Sequence, residues 1–425
     1  MSLANYQTPS NSERAAPPTG ANNLCVIPEV GVALFDDPQA PTSGWCSIDG
    51  HDAFRFSGVA DLRNTVLWVT NLDYASYSTF AKNSSNVRRM DFFRNSLAQI
   101  SSDLGFMSTG AYAQDAAKKL SAVSMRVVAM AARCYGIDNM TTVLRTNNFY
   151  EHLRGVLTRS PAVAPGMAHA LESSYQSFSA SSSPMGFVPD SLFLLLRRNR
   201  LHHAIEVMDT PIPDEGWEYR TGESLNFWLD EKRTCIVEAT VELSATDPDI
   251  ASLVAFGSTP GTVKKSVIRS FISQPELHWL VKHAKVQITG GHVCSPRPVP
   301  KEVRLPAALT ADPLFALSYS AGLLAEMHWN AYACQPWSKN GGPNGGAGKS
   351  TNTWGVWFRA MDRAISFEMA LEAQKAGFTV SSYGNGSMRI RVGRWQLQEA
   401  EKFAGDMGIC HPSFETVLRE HGIPH

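Results

Sequence analysis

The stretch AYAQDAAKKLSAVSMRVVAMAARCYG, residues 111–136, decides the predicted class of fold. Its apolar side chains recur at intervals of three and four residues, which is the period of one helix face. They are Leu120, Val123, Val127, Met130 and Cys134. Gly136 ends the run, as glycine commonly does at a helix C-terminus, and the many alanines permit close approach of a neighbouring helix. This stretch therefore predicts a long, packed helix.

Other stretches extend this prediction along the chain. Apolar residues at helical spacing run from Met90 to Leu104, with Ser84 and Ser85 before them and Gly105 after them. Helices are also predicted over residues 190–208 and 354–377. Residues 234–243 alternate as a strand does, and residues 378–393 form a hairpin pattern around Gly-Asn-Gly at 384–386. The sequence thus predicts a mainly α fold with a minor β part, in the α+β class.

The charge composition disfavours tight binding to the phosphates of nucleic acid. The chain has 425 residues, of which 44% are hydrophobic and 18% charged, and its 38 basic side chains against 39 acidic ones give a net charge of -1. Proteins that coat nucleic acid by neutralising phosphates carry a basic excess. Tight, sequence-independent coating of RNA or DNA is therefore disfavoured, whereas loose enclosure is not.

The cysteines and the first residues of the sequence favour a reducing compartment. The seven cysteines are scattered and never spaced as Cys-x-x-Cys, which favours reduced packing cysteines over disulfides or a zinc site. The opening MSLANYQTPS lacks the basic start and apolar core of a signal peptide. No apolar run approaches the roughly 18 residues of a membrane span. We expect a soluble protein of a reducing compartment.

Composition also predicts a division of the chain. Residues 1–44 are rich in Pro, Ser, Asn and Ala and predict a flexible N-terminal arm. Residues 45–155 and 305–425 carry most helical patterns and predict a helix-rich body. Residues 156–304, punctuated by serine-rich and proline-rich stretches, predict a projecting subdomain.

The segment GGPNGGAGKST, residues 341–351, is close to a phosphate-binding loop. Such a loop needs backbone N–H groups aimed at one anion, a lysine for the outer phosphates and a hydroxyl for magnesium. Gly348, Lys349 and Ser350 would fill those roles, but five residues rather than four separate Gly342 from Gly348, and no apolar strand precedes the loop. The segment is therefore interpreted as a flexible loop that leads into the next helix, with nucleotide binding as the alternative.

No other motif predicts catalysis, a cofactor or a metal. Neighbouring His202 and His203 point about 100° apart on a helix and cannot chelate one metal together. The pairs His278 with His283 and His292 with Cys294 lack the spacing or the additional ligands of a zinc site, so these side chains are interpreted as structural.

Two groups of arginines are candidates for contact with RNA or a protein partner, and ordinary solvated faces are the alternative. The first group shares the predicted 190–208 helix, and the second lies on or just after the second strand of the hairpin. They are Arg197, Arg198 and Arg200, and Arg389, Arg391 and Arg394.

In length, N-terminal arm, helix-rich body and scattered cysteines, the chain resembles the coat proteins of small double-stranded RNA viruses, especially partitiviruses. The resemblance rests on no diagnostic motif. It implies a viral-shell-like fold without enzymatic activity, dimers that build a closed shell, weakly held nucleic acid and a viral polymerase as partners, no membrane, and location in the virion and the host cytoplasm. Two alternatives stay open: a divergent nucleotide-binding enzyme that uses Lys349 and Ser350, and a cellular helical scaffold.

Overall fold

The structure is a computed structural model that describes residues 25–84, 86–89, 96–146, 148–158, 160–161, 163–177, 191–243, 253, 267–311, 318–333 and 352–409. The fold is α+β, with about 48% helix and 23% strand distributed over several small sheets. The α+β class predicted from the sequence is confirmed. None of the helices in these residues is both long enough and apolar enough to cross a membrane.

The α-helices of the described residues are α1 Tyr74–Ser76, α2 Leu97–Asp103, α3 Ala113–Tyr135, α4 Met140–Thr146, α5 Phe149–Val156, α6 Pro165–Ser177, α7 Arg200–Met208, α8 Leu225–Trp228, α9 Gln274–His283, α10 Ala308–Ala311, α11 Tyr319–Ala333, α12 Thr353–Lys375 and α13 Leu397–Asp406. The strands are β1 Val30–Phe35, β2 Gly44–Ile48, β3 Phe54–Phe56, β4 Leu67–Thr70, β5 Val87–Arg88, β6 Ser191–Arg197, β7 Ile212–Pro213, β8 Glu218–Arg220, β9 Thr234–Leu243, β10 Val267–Ser273, β11 Ala284–Cys294, β12 Pro296–Arg297, β13 Thr379–Gly384 and β14 Ser387–Gly393.

Helix α12 connects three of the apolar clusters of the fold. Its first turns, including Trp354 and Phe358, lie in the largest cluster together with α3, α6, α7 and α11. Farther along, Phe367 packs under the β9–β11 sheet, and Met369 packs against the sheet that contains β14. Because α12 and α11 are both buried over most of their surface, they hold the separate sheets together.

The strands of the described residues form four sheets. Strands β3-β2-β1-β4-β5 form a mixed sheet in which β1 pairs antiparallel with β2 and parallel with β4. Strands β10-β9-β11-β8 form an antiparallel sheet, and β13-β14-β6 form another. The short pair β12-β7 completes the set. The β part is thus more extensive than the sequence patterns predict.

Several predicted elements are confirmed and two are wrong. Helix α3, helix α12, strand β9 and the β13–β14 hairpin lie where the sequence places them. Residues 190–208 do not form one helix, because 191–197 form strand β6 and only 200–208 are helical. Helix α2 begins at Leu97 with Ser96 as its N-cap, whereas Val87–Arg88 form a strand; Met90 to Asn95 lie outside the described residues.

The predicted division of the chain also needs correction. Strand β1 falls within the predicted arm, yet all six of its residues are buried because both faces of its sheet are covered. Helices α6 and α7 fall within the predicted projection, yet Leu171 and Val207 lie in the same cluster as α3 and α11. The middle of the chain therefore contributes to the main core. Residues 1–24 of the arm lie outside the described residues.

Candidate ligand-binding cleft

A cleft of about 410 Å³ opens beside the first turn of α12. Its lining comes from five parts of the chain: the approach to α6 and its first turn, the segment from β7 to β8, strand β11, strand β12 and the start of α12. Its lining includes Gly166, Asp214, Glu215, Trp217, Tyr219, His292, Arg297 and Trp354. The volume lies within the range of small-molecule sites, roughly 300–1,000 Å³.

One wall of the cleft is set by the pairing of β8 with β11. Tyr219 lies directly opposite His292 in the ladder, and their rings meet edge to face with centroids 5.1 Å apart. Gly290 makes room for this pair, because a Cβ atom at that position would lie 2.6 Å from the Tyr219 hydroxyl oxygen. The backbone of β11 therefore fixes both rings at the edge of the cleft.

A second wall is set by the pairing of β7 with β12. The backbone N–H of Asp214 donates to the carbonyl of Ser295 at 2.9 Å, and Arg297 Nη1 donates to Asp214 Oδ1 at 3.2 Å. Both charged side chains are partly exposed. The charge of Arg297 is thus largely balanced within the cleft.

The turn between β7 and β8 carries two further lining residues. Gly216 has φ of +88°, a conformation that glycine adopts without the strain of a side chain. It separates Glu215, which is exposed, from Trp217, which is half-buried and packs partly on the main core. The turn thus contributes both a carboxylate and an aromatic ring to the lining of the cleft.

The inner end of the cleft is formed by helix starts. Trp354 is 5% exposed, and the backbone N–H of the neighbouring Thr353 donates to Ser160 Oγ at 2.9 Å. Asn352 caps the helix by accepting from the N–H of Gly355 at 3.2 Å. The first turn of α12 is therefore tied to Ser160 and capped by Asn352.

The ionisable side chains of the cleft give its lining a net negative charge. Burial lowers the pKa of His292 below its ordinary value, so its ring is neutral at neutral pH. Glu215 makes no ion pair within the described residues, and Arg297 is paired with Asp214. The cleft therefore combines aromatic surface with a net negative charge.

A second groove, of about 450 Å³, lies between α9, α12 and the end of α13. Trp279, Ile365 and Met369 line its apolar part, and it is more open to solvent than the first cleft. Arg198 at its rim is already paired with Glu206 at 2.6 Å. This groove offers fewer aromatic rings, and we regard the first cleft as the better candidate.

The first group of predicted contact arginines is engaged within the protein. Arg200 is 8% exposed, and it binds Asp103 at 2.5 Å, the Tyr319 hydroxyl at 2.6 Å and Glu326 at 2.7 Å. Its predicted role in contacting RNA or a partner is corrected accordingly, because its charge is satisfied inside the fold. Arg197 pairs with Glu326 at 3.1 Å, and Arg198 pairs with Glu206.

The second group lies on the β13–β14–β6 sheet. Met388, Ile390 and Val392 are buried, whereas Arg389 is exposed and Arg391 is half-exposed, as the alternating pattern predicts. Arg394 lies in the short 3₁₀ turn that follows. Contact of these three arginines with RNA or a partner stays a prediction.

Gly348, Lys349 and Ser350 lie outside the described residues, so the structure gives no geometry for the glycine-rich loop. No three His, Cys, Asp or Glu side chains come together as a metal site in the parts of the chain that the structure describes. Sequence patterns missed Trp217, Tyr219, Arg297 and Trp354. The one signal for them was the proline-rich stretch DTPIPDEGW, residues 209–217, whose Gly-Trp end forms the mouth of the cleft.

No protein-family model and no curated protein sequence matches the chain. Solved structures of Phi29 DNA polymerase do match it. The polymerase complexed with single-stranded DNA matches at a TM-score of 0.44 and 10% identity, covering 86% of this chain and 80% of that one. The ternary complex with primer-template DNA and incoming nucleotide matches at a TM-score of 0.39 and 9% identity, with the same coverage.

The solved structures named above are those of an enzyme and not of a virion shell, and the predicted coat protein is corrected against them. The prediction of a self-assembling capsid without enzymatic activity is not retained. TM-scores of 0.39 to 0.44 are too low to assign the polymerase fold or its activity to this chain. The predicted partners and location stay predictions.

Proposed function

We propose that this protein binds a small organic molecule with a ring or a compact apolar body in the cleft beside α12. The observation that carries the proposal is the meeting of the aromatic side chains Trp217, Tyr219, His292 and Trp354 in one concave space of about 410 Å³. Small-molecule sites are typically concave, largely apolar and aromatic, with a few fixed polar groups.

The construction of the cleft supports a preformed site. Tyr219 and His292 are fixed by a strand pair, Asp214 and Arg297 by a second pair, and Trp354 by a capped helix. A ligand that enters such a site does not have to order these side chains, and the entropic cost of binding is correspondingly small.

The chain offers a matched pair of variants to test the proposal. A Cβ atom at Gly166 meets no atom within 4 Å, so Gly166→Leu would place its side chain at the cleft with little cost to folding. Gly155 lies in helix α5 with equally open surroundings and does not line the cleft, so Gly155→Leu is the control.

The experiment is ligand-observed NMR with indole, quinoline, benzyl alcohol and choline as probes. We expect at least one probe to bind the wild type and Gly155→Leu, and to lose most of its binding to Gly166→Leu. Absence of binding by every probe, or equal binding to both variants, would overturn the proposal.

A further inference from the structure

We infer that the ligand of this cleft is a small organic cation with an alkylated ammonium group. The inference rests on the proposed function and adds to it the charge and the chemical class of the ligand. It follows from three features of the lining: the aromatic rings, the unpaired carboxylate and the neutralised cation.

The rings supply the first feature. The π faces of Trp and Tyr carry negative charge and attract ammonium groups, with Trp the strongest. Two tryptophans and a tyrosine line this cleft. Trp217 is half-buried, so its ring offers surface from which water is partly excluded, whereas Trp354 is almost fully buried and contributes mainly to the wall of the cleft.

Charge supplies the other two features. Glu215 lines the cleft and makes no ion pair within the described residues, so it is available to a cationic ligand. Arg297 is the one arginine or lysine among the described lining residues, and Asp214 binds it. His292 adds no positive charge near neutral pH. An anionic ligand would therefore meet an uncompensated carboxylate, whereas a cation meets rings and a counter-charge.

A quaternary ammonium fits these features better than a primary amine. Its methyl groups fill apolar space and need no hydrogen-bond acceptors, while its charge interacts with rings and with Glu215 through space. A primary ammonium would need acceptors for three N–H groups, and the one lining carboxylate that is not already paired lies exposed at the mouth.

The test compares choline with 3,3-dimethylbutan-1-ol, which has the same shape and no charge, by isothermal titration calorimetry on the full chain. We expect choline to bind about 2- to 30-fold more tightly than the alcohol, the range that cation–π contacts provide. Glu215→Gln should weaken choline about two- to fivefold, as for a partly exposed ion pair, and leave the alcohol unchanged. Glu223→Gln, an exposed carboxylate outside the cleft, is the control.

The outcomes separate this inference from the proposed function. Equal binding of choline and the alcohol, or binding of the neutral ring probes alone, would overturn the cationic class and leave the cleft as a binding site. Failure of every probe would overturn the proposed function itself. Weakening of choline by Glu223→Gln as much as by Glu215→Gln would show a general charge effect and would also overturn the inference.

Discussion

His328 on α11 is buried with both ring nitrogens hydrogen-bonded. Its Nε2 donates to the Val303 carbonyl at 3.0 Å, and its Nδ1 therefore accepts from the Tyr135 hydroxyl at 2.8 Å. Burial lowers the pKa of His328 to about 4, although the bond to Val303 opposes the shift. The neutral ring is thus the form that the fold accommodates.

We expect His328 to destabilise the protein as the pH falls. The unfolded state binds a proton near pH 6.5 and the folded state only near 4, so stability is lost across that window, by up to about 3 kcal/mol. Urea unfolding between pH 7.5 and 4.5 measures this loss. His152, His278 and His292 also have lowered pKa values and contribute to the same loss. The quantity to compare is therefore the slope of the unfolding free energy against pH, in the wild type and in His328→Gln. An identical slope in that variant would contradict the assignment.

Asp362 on α12 has the densest set of donors around a buried carboxylate in the described chain. Oδ1 accepts from His203 Nε2 at 2.9 Å and from the Gly386 N–H at 3.0 Å, and Oδ2 accepts from the Asn385 N–H at 3.0 Å. Burial would raise the pKa of Asp362, but the bond from His203 and the charge of Arg359 outweigh it and lower the pKa to about 2. The ionised carboxylate ties α12 to α7 and to the hairpin turn.

Asp362→Asn should cost about 3 kcal/mol of stability at pH 7, because an amide N–H₂ group then faces other donors in a buried site. The depressed pKa means that the carboxylate contributes above about pH 4 and that its contribution is lost as the pH falls towards 2. Chemical unfolding at pH 7 gives the cost. Ser366→Ala, which removes a longer 3.3 Å bond to the same oxygen, should cost about 1 kcal/mol. Similar costs for both variants would contradict this account.

At the scale of elements, the contact between α11 and α12 depends on one glycine. A Cβ atom at Gly355 would lie 2.2 Å from the carbonyl oxygen of Tyr332 and 3.1 Å from its carbonyl carbon. Backbone atoms cannot move aside as the end of a side chain can. Helix α12 therefore approaches α11 at a distance that only glycine permits.

Gly355→Ala should destabilise the protein by about 3 kcal/mol, because the two helices must separate or shift. Gly405→Ala in α13 is the matched control: its Cβ meets no atom within 4 Å, and replacement of a helical glycine by alanine should stabilise by up to about 1 kcal/mol. Thermal unfolding of the two variants should give shifts of opposite sign. An unchanged melting temperature in Gly355→Ala would contradict this account, because it would mean that the two helices lie farther apart.

Elements with a local signal were predictable and elements with a tertiary cause were not. The β13–β14 hairpin follows from Asn385 and Gly386, whose φ values of 54° and 62° are those that an Asn-Gly turn provides. The sequence predicts helix instead of strand β6 because the run Leu192–Leu196 has no clear period of its own. The sequence does not predict strand β1, because burial on both faces removes the alternation that marks a strand.

The candidate cleft was hidden for a related reason. Tyr219 and His292 are 73 positions apart in the sequence and become neighbours through the β8–β11 ladder. Trp354 joins them from a third segment. No spacing rule connects such residues, whereas the residues of the glycine-rich loop at 341–351 are contiguous and therefore form a recognisable motif.

At the scale of the whole molecule, the apolar side chains of residues 156–304 pack against elements from the earlier and later parts of the chain. Helices α6 and α7 bury apolar side chains, including Leu171 and Val207, in the cluster that α3, α11 and α12 complete. The β9–β11 sheet buries Val237 and Val241 in a cluster that includes Phe367 from α12. Residues 156–304 therefore lack several of the surfaces on which their own apolar side chains pack.

We expect the fragment 156–304 not to fold when it is expressed alone. Each large apolar side chain returned to water costs about 1.5–3 kcal/mol, and a handful of them exceeds the roughly 5–15 kcal/mol that holds a typical domain together. The measurements are the dispersion of a two-dimensional amide NMR spectrum and the cooperativity of thermal unfolding by circular dichroism, with the full chain as the control. A fragment with a dispersed spectrum and a sharp transition would show that the middle is an independent domain, because only a segment with its own complete core unfolds cooperatively.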